Sequence, residues 1–381
     1  MHEFSTQQEA GLRLERTEAY LASDPVNPGL MALAMELTLE TGDMDRAAYH
    51  AETARLSHPD NPTLQYRRAQ VHAAQRKWNE AAEIFSALLS AHQNVNLACS
   101  LADCVVHVGD YAAASAALFP WRDDPALPHQ GATLLVRAMH HMGQYRAAIN
   151  LHNSFRDRFL DDPTYCAAAS LLHLDAGEAA AAAVLAGRAL TDGARPIEAL
   201  VTNATLSLGN TDADLASFHF SEALEQNSTD GRCWSGLGMA TMLRGDCKAA
   251  IPQLEQAVRF MPSHIGSWHA LGWCHLLTQD LHGAEAAFSA ALALDRNFGE
   301  SHGNMAVIAA HKGQRARAQA AVRTALKLDA KSLSAHYAEM VMSGEAADPE
   351  RFKAVALRLI GAYHTPGGES LAAAVERMTN A

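Results

Sequence analysis

The sequence predicts an all-α chain built as a solenoid of stacked antiparallel helix pairs. Three observations predict it. Trp234-x2-Leu237-Gly238, Ala250, Leu254, Ala257 and Pro262 return 34 residues later as Trp268-x2-Leu271-Gly272, Ala284, Phe288 and Ala291. Carrying that period both ways yields ten units, starting at Pro28, Pro62, Val95, His129, Pro163, Ile197, Gly231, Ile265, Gly299 and Leu333; each is 34 residues long except the second, which is one shorter. Position 20 is alanine in nine consecutive units: Ala47, Ala81, Ala114, Ala148, Ala182, Ala216, Ala250, Ala284 and Ala318. Only a small side chain lets two helix backbones approach at such a point, and a larger one overpacks by about 1–3 kcal/mol.

The elements follow in order. Ser5-x-x-Gln8 fits a capping box, so the first helix is expected to begin near Ser5 and to stop before Pro25 and Pro28. Residues 1–27 then read as a capping helix over the open face of the first unit. Inside each unit, position 8 also calls for a small residue, met by Ala69, Ala102, Ser170, Ala204, Gly238, Gly272 and Ala306. The turn between the paired helices carries Gly42, Gly109, Gly143, Gly177, Gly245 and Gly313, as a left-handed helix stop requires. Position 24 is a large apolar knob: Phe85, Leu118, Phe220, Leu254, Phe288 and Val322. In the third unit Pro120 interrupts the second helix, and a disturbance of the regular path is expected around residues 119–130. The tenth unit is degenerate: Phe352 replaces the alanine, residues 351–363 supply its second helix, Thr365-Pro366-Gly367-Gly368 breaks the chain, and residues 365–381 form a capping helix or tail.

Composition narrows the function classes. The net charge of −12 disfavours a general nucleic-acid surface. Residues 1–5 carry no secretory signature, and no run reaches the roughly 18–20 apolar residues of a transmembrane helix, so a cytoplasmic protein with no membrane insertion is expected. The six cysteines form no CxxC pair and read as reduced, small, buried residues.

The Trp-x2-Leu-Gly, Ala, Phe and Pro pattern resembles the tetratricopeptide repeat family, over about residues 28–364. The resemblance implies a right-handed superhelix whose first (A) helices line a concave groove and whose second (B) helices form the convex back. Such a groove usually grips an extended or helical peptide. Two known groove chemistries are missing. The carboxylate clamp needs Lys and Asn where this chain has Ala32, Tyr66, Cys99, Thr133, Glu36, Gln70, Asp103 and Arg137. The asparagine ladder of glycosyltransferase-associated repeats is represented by Asn304 alone.

Positions 2, 5, 9, 12 and 13 of each A helix should face the groove. They are polar in the early units, with Glu36, Gln70, Asp103, His107, Arg137, His140 and His141, and apolar later, with Met239, Met242, Leu243, Trp273, Leu276, Leu277 and Val307 beside His269. Met239, Met242, Leu243, His269, Trp273, Leu276, Val307, Arg137 and His141 are therefore the candidate partner-binding residues, because Trp and Met anchor interfaces where the fold does not itself need them. Trp234 and Trp268 occupy the consensus position 4 and read as core.

No metal site is expected: His107, His140 and His141 lack a ligand spacing such as HExxH. Nor does any phosphate-cradling or nucleophile motif occur, and Asp123-Asp124 and Asp161-Asp162 read as turn and cap chemistry, so the chain is not expected to be an enzyme or to use a cofactor. The expectation is a non-catalytic adaptor or chaperone holding a protein or peptide partner. The alternative is a structural scaffold or regulatory subunit of a larger assembly, with self-association left open.

Overall fold

The computed structural model describes residues 2–347. Among these residues it contains twenty α-helices and no strand. The chain divides into two compact units, Met1–Leu172 and His173–Ala381, with the boundary inside one helix, α10 (Pro163–Asp175).

The N-terminal unit opens with α1 (His2–Ser23), which packs on α2 (Pro28–Thr41). α1 begins at His2, three residues before the start near Ser5 that the sequence suggested. The pairs α2 and α3 (Met44–Ser57), α4 (Pro62–Ala74) and α5 (Trp78–Ala91), α6 (Val95–His107) and α7 (Tyr111–Leu118), and α8 (His129–His141) and α9 (Tyr145–Phe159) follow. The C-terminal unit holds α11 (Ala179–Ala189) and then the pairs α12 (Ile197–Gly209) and α13 (Ala213–Gln226), α14 (Gly231–Leu243) and α15 (Cys247–Phe260), α16 (Ile265–Leu277) and α17 (Leu281–Leu294), and α18 (Gly299–His311) and α19 (Arg315–Leu328), closing with α20 (Leu333–Ser343). Each helix of these pairs contacts its partner. The expected second helix of the tenth unit, the break at residues 365–368 and the capping helix or tail at 365–381 lie outside the described residues.

Three register positions explain why the pairs form. All nine position-20 alanines have 0% exposure, and position-24 knobs such as Phe85, Leu118, Phe220 and Phe288 are buried with them. Position 8 is small because the knob fills the space above it: a Cβ on Gly238 would sit 2.7 Å from Leu254, and one on Gly272 would enter the Phe288 ring. Position 15 is left-handed in every complete unit. Six glycines take φ of 70–81°, and Arg76, Thr211 and Gln279 adopt φ of 59°, 60° and 66° where a unit lacks glycine.

Two further devices were not read from the sequence. The residue after the left-handed turn caps the B helix: Asp43, Asp110, Asp212, Asp246 and Asp280 each accept a backbone N–H from its first turn. Position 4 carries a donor that latches the preceding loop. Trp234 Nε1 donates to the Ser228 carbonyl at 2.9 Å and Trp268 Nε1 to Pro262 at 2.8 Å. Gln65, Cys166, His302 and His336 each reach the carbonyl six residues upstream in the same way. Trp234 and Trp268 are thus half-buried latches and not closed core residues, since an indole N–H needs a partner that a dry core lacks.

The irregularity at Pro120 is local. α7 ends at Leu118, a 3-10 turn covers Phe119–Trp121, and an irregular segment leads to α8. Arg158 holds this segment: its guanidinium donates to the carbonyls of Asp124 at 2.9 Å and Leu127 at 3.4 Å, and lies 4.7 Å from the Phe159 ring centroid. α7 still packs on α8, so the missing turns are replaced by one side chain.

Candidate functional site

The A-helix face of each unit is the candidate site. In the N-terminal unit it is polar and internally bonded. Arg67 pairs with Glu36 at 2.5 Å and donates to Gln70 at 2.9 Å. His107 stacks on Trp78 with centroids 4.0 Å apart, and His141 stacks on Tyr111 at 4.2 Å. Both stacks join position 13 of one repeat to position 17 of the repeat before it. The exposed His141 is therefore anchored by ring contact, while Arg137 is half-buried. A cleft of about 380 Å³ lies between α1 and α3, lined by Glu18, Leu21, Met31, Tyr49 and His50. Arg46 and His50 both bond Glu18, so the charge there is met internally.

In the C-terminal unit the A face is apolar, and it is tighter than a simple groove. Repeats two apart touch across it. Arg232 of α14 pairs with Asp175 at 2.8 Å, and Trp273 of α16 lies 5.7 Å from the Tyr337 ring of α20. Trp273 also meets Phe288 edge-on at 6.0 Å and is half-buried. Trp273 and Tyr337 pack on the cluster that contains Leu276 and Val307. Consequently Val307 has 0% exposure and Leu276 8%, which corrects their assignment as groove-facing contacts: both are core. Met242 and Leu243 are half-buried, and Met242 packs on the cluster around Leu254 and Cys274. What remains open is Met239 at 39% exposure and Leu277 at 62%, with exposed His311 beside Tyr337.

His269 is occupied by the fold. Its Nε2 bonds Ser301 Oγ at 2.9 Å and its ring stacks on Phe298 at 5.7 Å. This joins position 5 of one repeat to position 3 of the next. The same registers meet where Ser267 donates to Ser235 at 2.9 Å, and where a Cβ on Gly303 would sit 2.7 Å from the Ala335 nitrogen. Burial holds the His269 pKa below the ordinary histidine range, with Glu300 pulling weakly the other way. Its place among the partner contacts is thus corrected to a stitch between repeats. The serine at position 3 was the legible signal.

Among the described residues no group of three or more His, Cys, Asp or Glu side chains is placed to hold a metal ion. No helix there is long and apolar enough to cross a membrane.

An array of helix pairs with a shared A face defines a protein-interaction scaffold. Two tetratricopeptide repeat family models match the chain, over residues 38–100 and 235–297, and the chain carries tetratricopeptide repeats. Their fold is typically a non-catalytic module that binds protein partners. No curated protein matches the chain. Among solved structures, a monomeric mutant of IFIT1 with Gppp-AAAA is similar at 14% identity and a TM-score of 0.50, covering 92% of this chain and 90% of that one. The Cut9–Hcn1 assembly of APC/C is similar at 13% identity and a TM-score of 0.44, over 90% and 94% of the two chains. A MamA structure is similar at 18% identity and a TM-score of 0.39, covering 44% of this chain and 97% of that one.

Proposed function

We propose that the chain is a cytoplasmic, non-catalytic adaptor or chaperone that holds an apolar peptide or helix of a protein partner on the A face of its C-terminal unit. The observation that supports this reading is the pair Met239 and Leu277, exposed at 39% and 62% at positions 9 and 13 of consecutive repeats, the second of which also carries the half-buried Trp273. The repeat needs no apolar residue at either position, since the same registers hold Glu36, Asp103, His107 and His141 in the N-terminal unit. Apolar side chains left in water without a packing role are what a partner's apolar side chains bury.

Affinity purification from the native cell tests it, comparing the parent with Met239→Glu and Leu277→Glu. Both changes fall on exposed side chains, so the fold is retained. A partner recovered with the parent is expected to be lost, with affinity reduced at least tenfold. Equal recovery with both variants overturns the site.

A second reading, a structural scaffold or regulatory subunit of a larger assembly, draws on the opposite face. Val184 and Phe218 are 64% and 55% exposed at position 22 of consecutive repeats. Phe218→Glu, and not Leu277→Glu, would then release the partner. The IFIT1 likeness does not argue for RNA here, because a net charge of −12 repels a polyanion.

A further inference from the structure

The first helices of the N-terminal unit leave large apolar side chains in water that the A-face reading does not use. Tyr20 of α1, Val26 just after it, and Tyr49 and Leu56 of α3 are all more than half exposed. Tyr49 also lines the cleft of about 380 Å³ between α1 and α3, together with Leu21, Pro25 and Met31. A cleft of that size and apolar lining suits a side chain of another molecule. Glu18 within it is met by Arg46 and His50, but other acids nearby face water: Asp24 and Asp45 are exposed, as is Glu52, which keeps a local pair with Arg55. Residues 2–57 hold ten carboxylates and four arginines. Two such surfaces repel each other, so an isologous contact is disfavoured and the apolar rim calls for a cationic counterpart.

The same chain carries that counterpart. α19 holds Arg315, Arg317, Arg323 and Lys327 and no carboxylate, and no other described helix is as basic. Arg317 reaches Glu285, whereas Arg323 and Lys327 make no ion pair among the described residues. Ala316, Ala320, Arg323 and Lys327 recur at i, i+4, i+7 and i+11 and are all exposed, so one face of α19 is small at its start and cationic at its end. Asp45, Tyr49, Glu52 and Leu56 recur at the same spacing on α3, also exposed. A tyrosine ring can lie over two alanines, with a guanidinium held beside it by the ring face and by the neighbouring acids. From this complementarity we infer that the chain self-associates heterologously, the α1–α3 surface around Tyr49 of one copy receiving the α19 face of a second copy. Each dimer then keeps one unused surface of either kind, so association continues past two copies or closes into a ring. The inference does not rest on the proposed A-face function, and Leu277→Glu should associate like the parent.

Sedimentation velocity on the full chain, over a wide range of concentration and salt, tests it. The sedimentation coefficient of the parent is expected to rise with concentration and to fall back as salt is added, since the contact pairs opposite charges. Tyr49→Ala, and separately the double change Arg323→Glu with Lys327→Glu, should each weaken association at least about tenfold. All three positions are exposed, so the fold is retained. Mixing the two variants is the decisive arm. Each supplies the surface the other lacks, so the mixture should form a one-to-one dimer that grows no further. A parent that stays monomeric at every concentration overturns the inference, as does association that salt does not touch. Variants that still associate like the parent, or a mixture that remains monomeric, overturn it equally. Phe218→Glu, on the acidic α13, should leave association intact; its loss there with Tyr49→Ala unaffected would move the contact to α13 and overturn the assignment.

Discussion

Thr211 holds φ of 60° at the turn where six other repeats place glycine. A β-branched side chain in the left-handed region crowds its own carbonyl and costs on the order of 1–2 kcal/mol. Thr211→Gly is therefore expected to stabilise the chain by about 1 kcal/mol, seen as a higher midpoint in urea; a lower midpoint would show that the side chain contributes more than the backbone strain removes. The position-8 glycines predict the opposite sign. Gly272→Ala drives a methyl group into the Phe288 ring and should cost about 1–3 kcal/mol. Trp273 touches both Phe288 and Tyr337, so Trp273→Ala is expected to destabilise the fold by about 2 kcal/mol even with no partner present. Any binding loss in that variant has to be judged against Leu277→Glu, whose side chain is open to water.

At the scale of the element, each helix pair repeats one short program: a small residue at the crossing, a left-handed stop, an acid that caps the next helix. The program was partly legible. Alanine at position 20 and glycine at position 15 announce themselves by identity. The capping aspartate was missed because aspartate in a turn has many explanations, and only the hydrogen bond to the helix's first turn selects one. Four repeats lack a side-chain cap on the B helix, with Lys77, Gln144, Glu178 and Gln314 in its place. Gln314→Asp is expected to raise stability by about 1 kcal/mol, measured by denaturation against the parent. α7 departs from the program for a visible reason: Pro120 has no N–H to continue the helix, and Arg158 takes over the loop carbonyls that the lost turns would have met. Arg158→Met keeps the aliphatic bulk and removes those donors. Faster amide exchange at residues 119–128 is expected, and unchanged exchange would mean the loop is held by packing alone.

Across the whole molecule, histidines are numerous, and several are part of the fold. His72 and His269 both have pKa values lowered mainly by burial, so the folded state binds their protons less readily than the unfolded chain. Their contribution to stability is complete above about pH 6.5, the ordinary histidine value, and is lost as pH falls below it through the lower folded values. The thermal midpoint is accordingly expected to drop between about pH 7 and pH 5, and His269→Gln should flatten that dependence. A midpoint that is level over the interval would show that other groups offset the two imidazoles.

The repeat period, the pairing of helices and the buried contact positions were determined by the sequence alone. Each depends on a local relation, either the few residues of a turn or the fixed 34-residue step that sets one pair on the next. The apolar character of the C-terminal A face was legible in the same way, from Met239, Trp273 and Leu277 at registers that hold polar residues earlier in the chain. Which of those apolar side chains water can reach was decided only by the tertiary structure. Val307 and Leu276 read like Met239 and Leu277 in the sequence, yet Trp273 and Tyr337 pack on the cluster that holds the first two. His269 was likewise claimed by Ser301 of the neighbouring repeat. Burial and side-chain partnership are set by residues one or two repeats away, and no local window of the chain contains them.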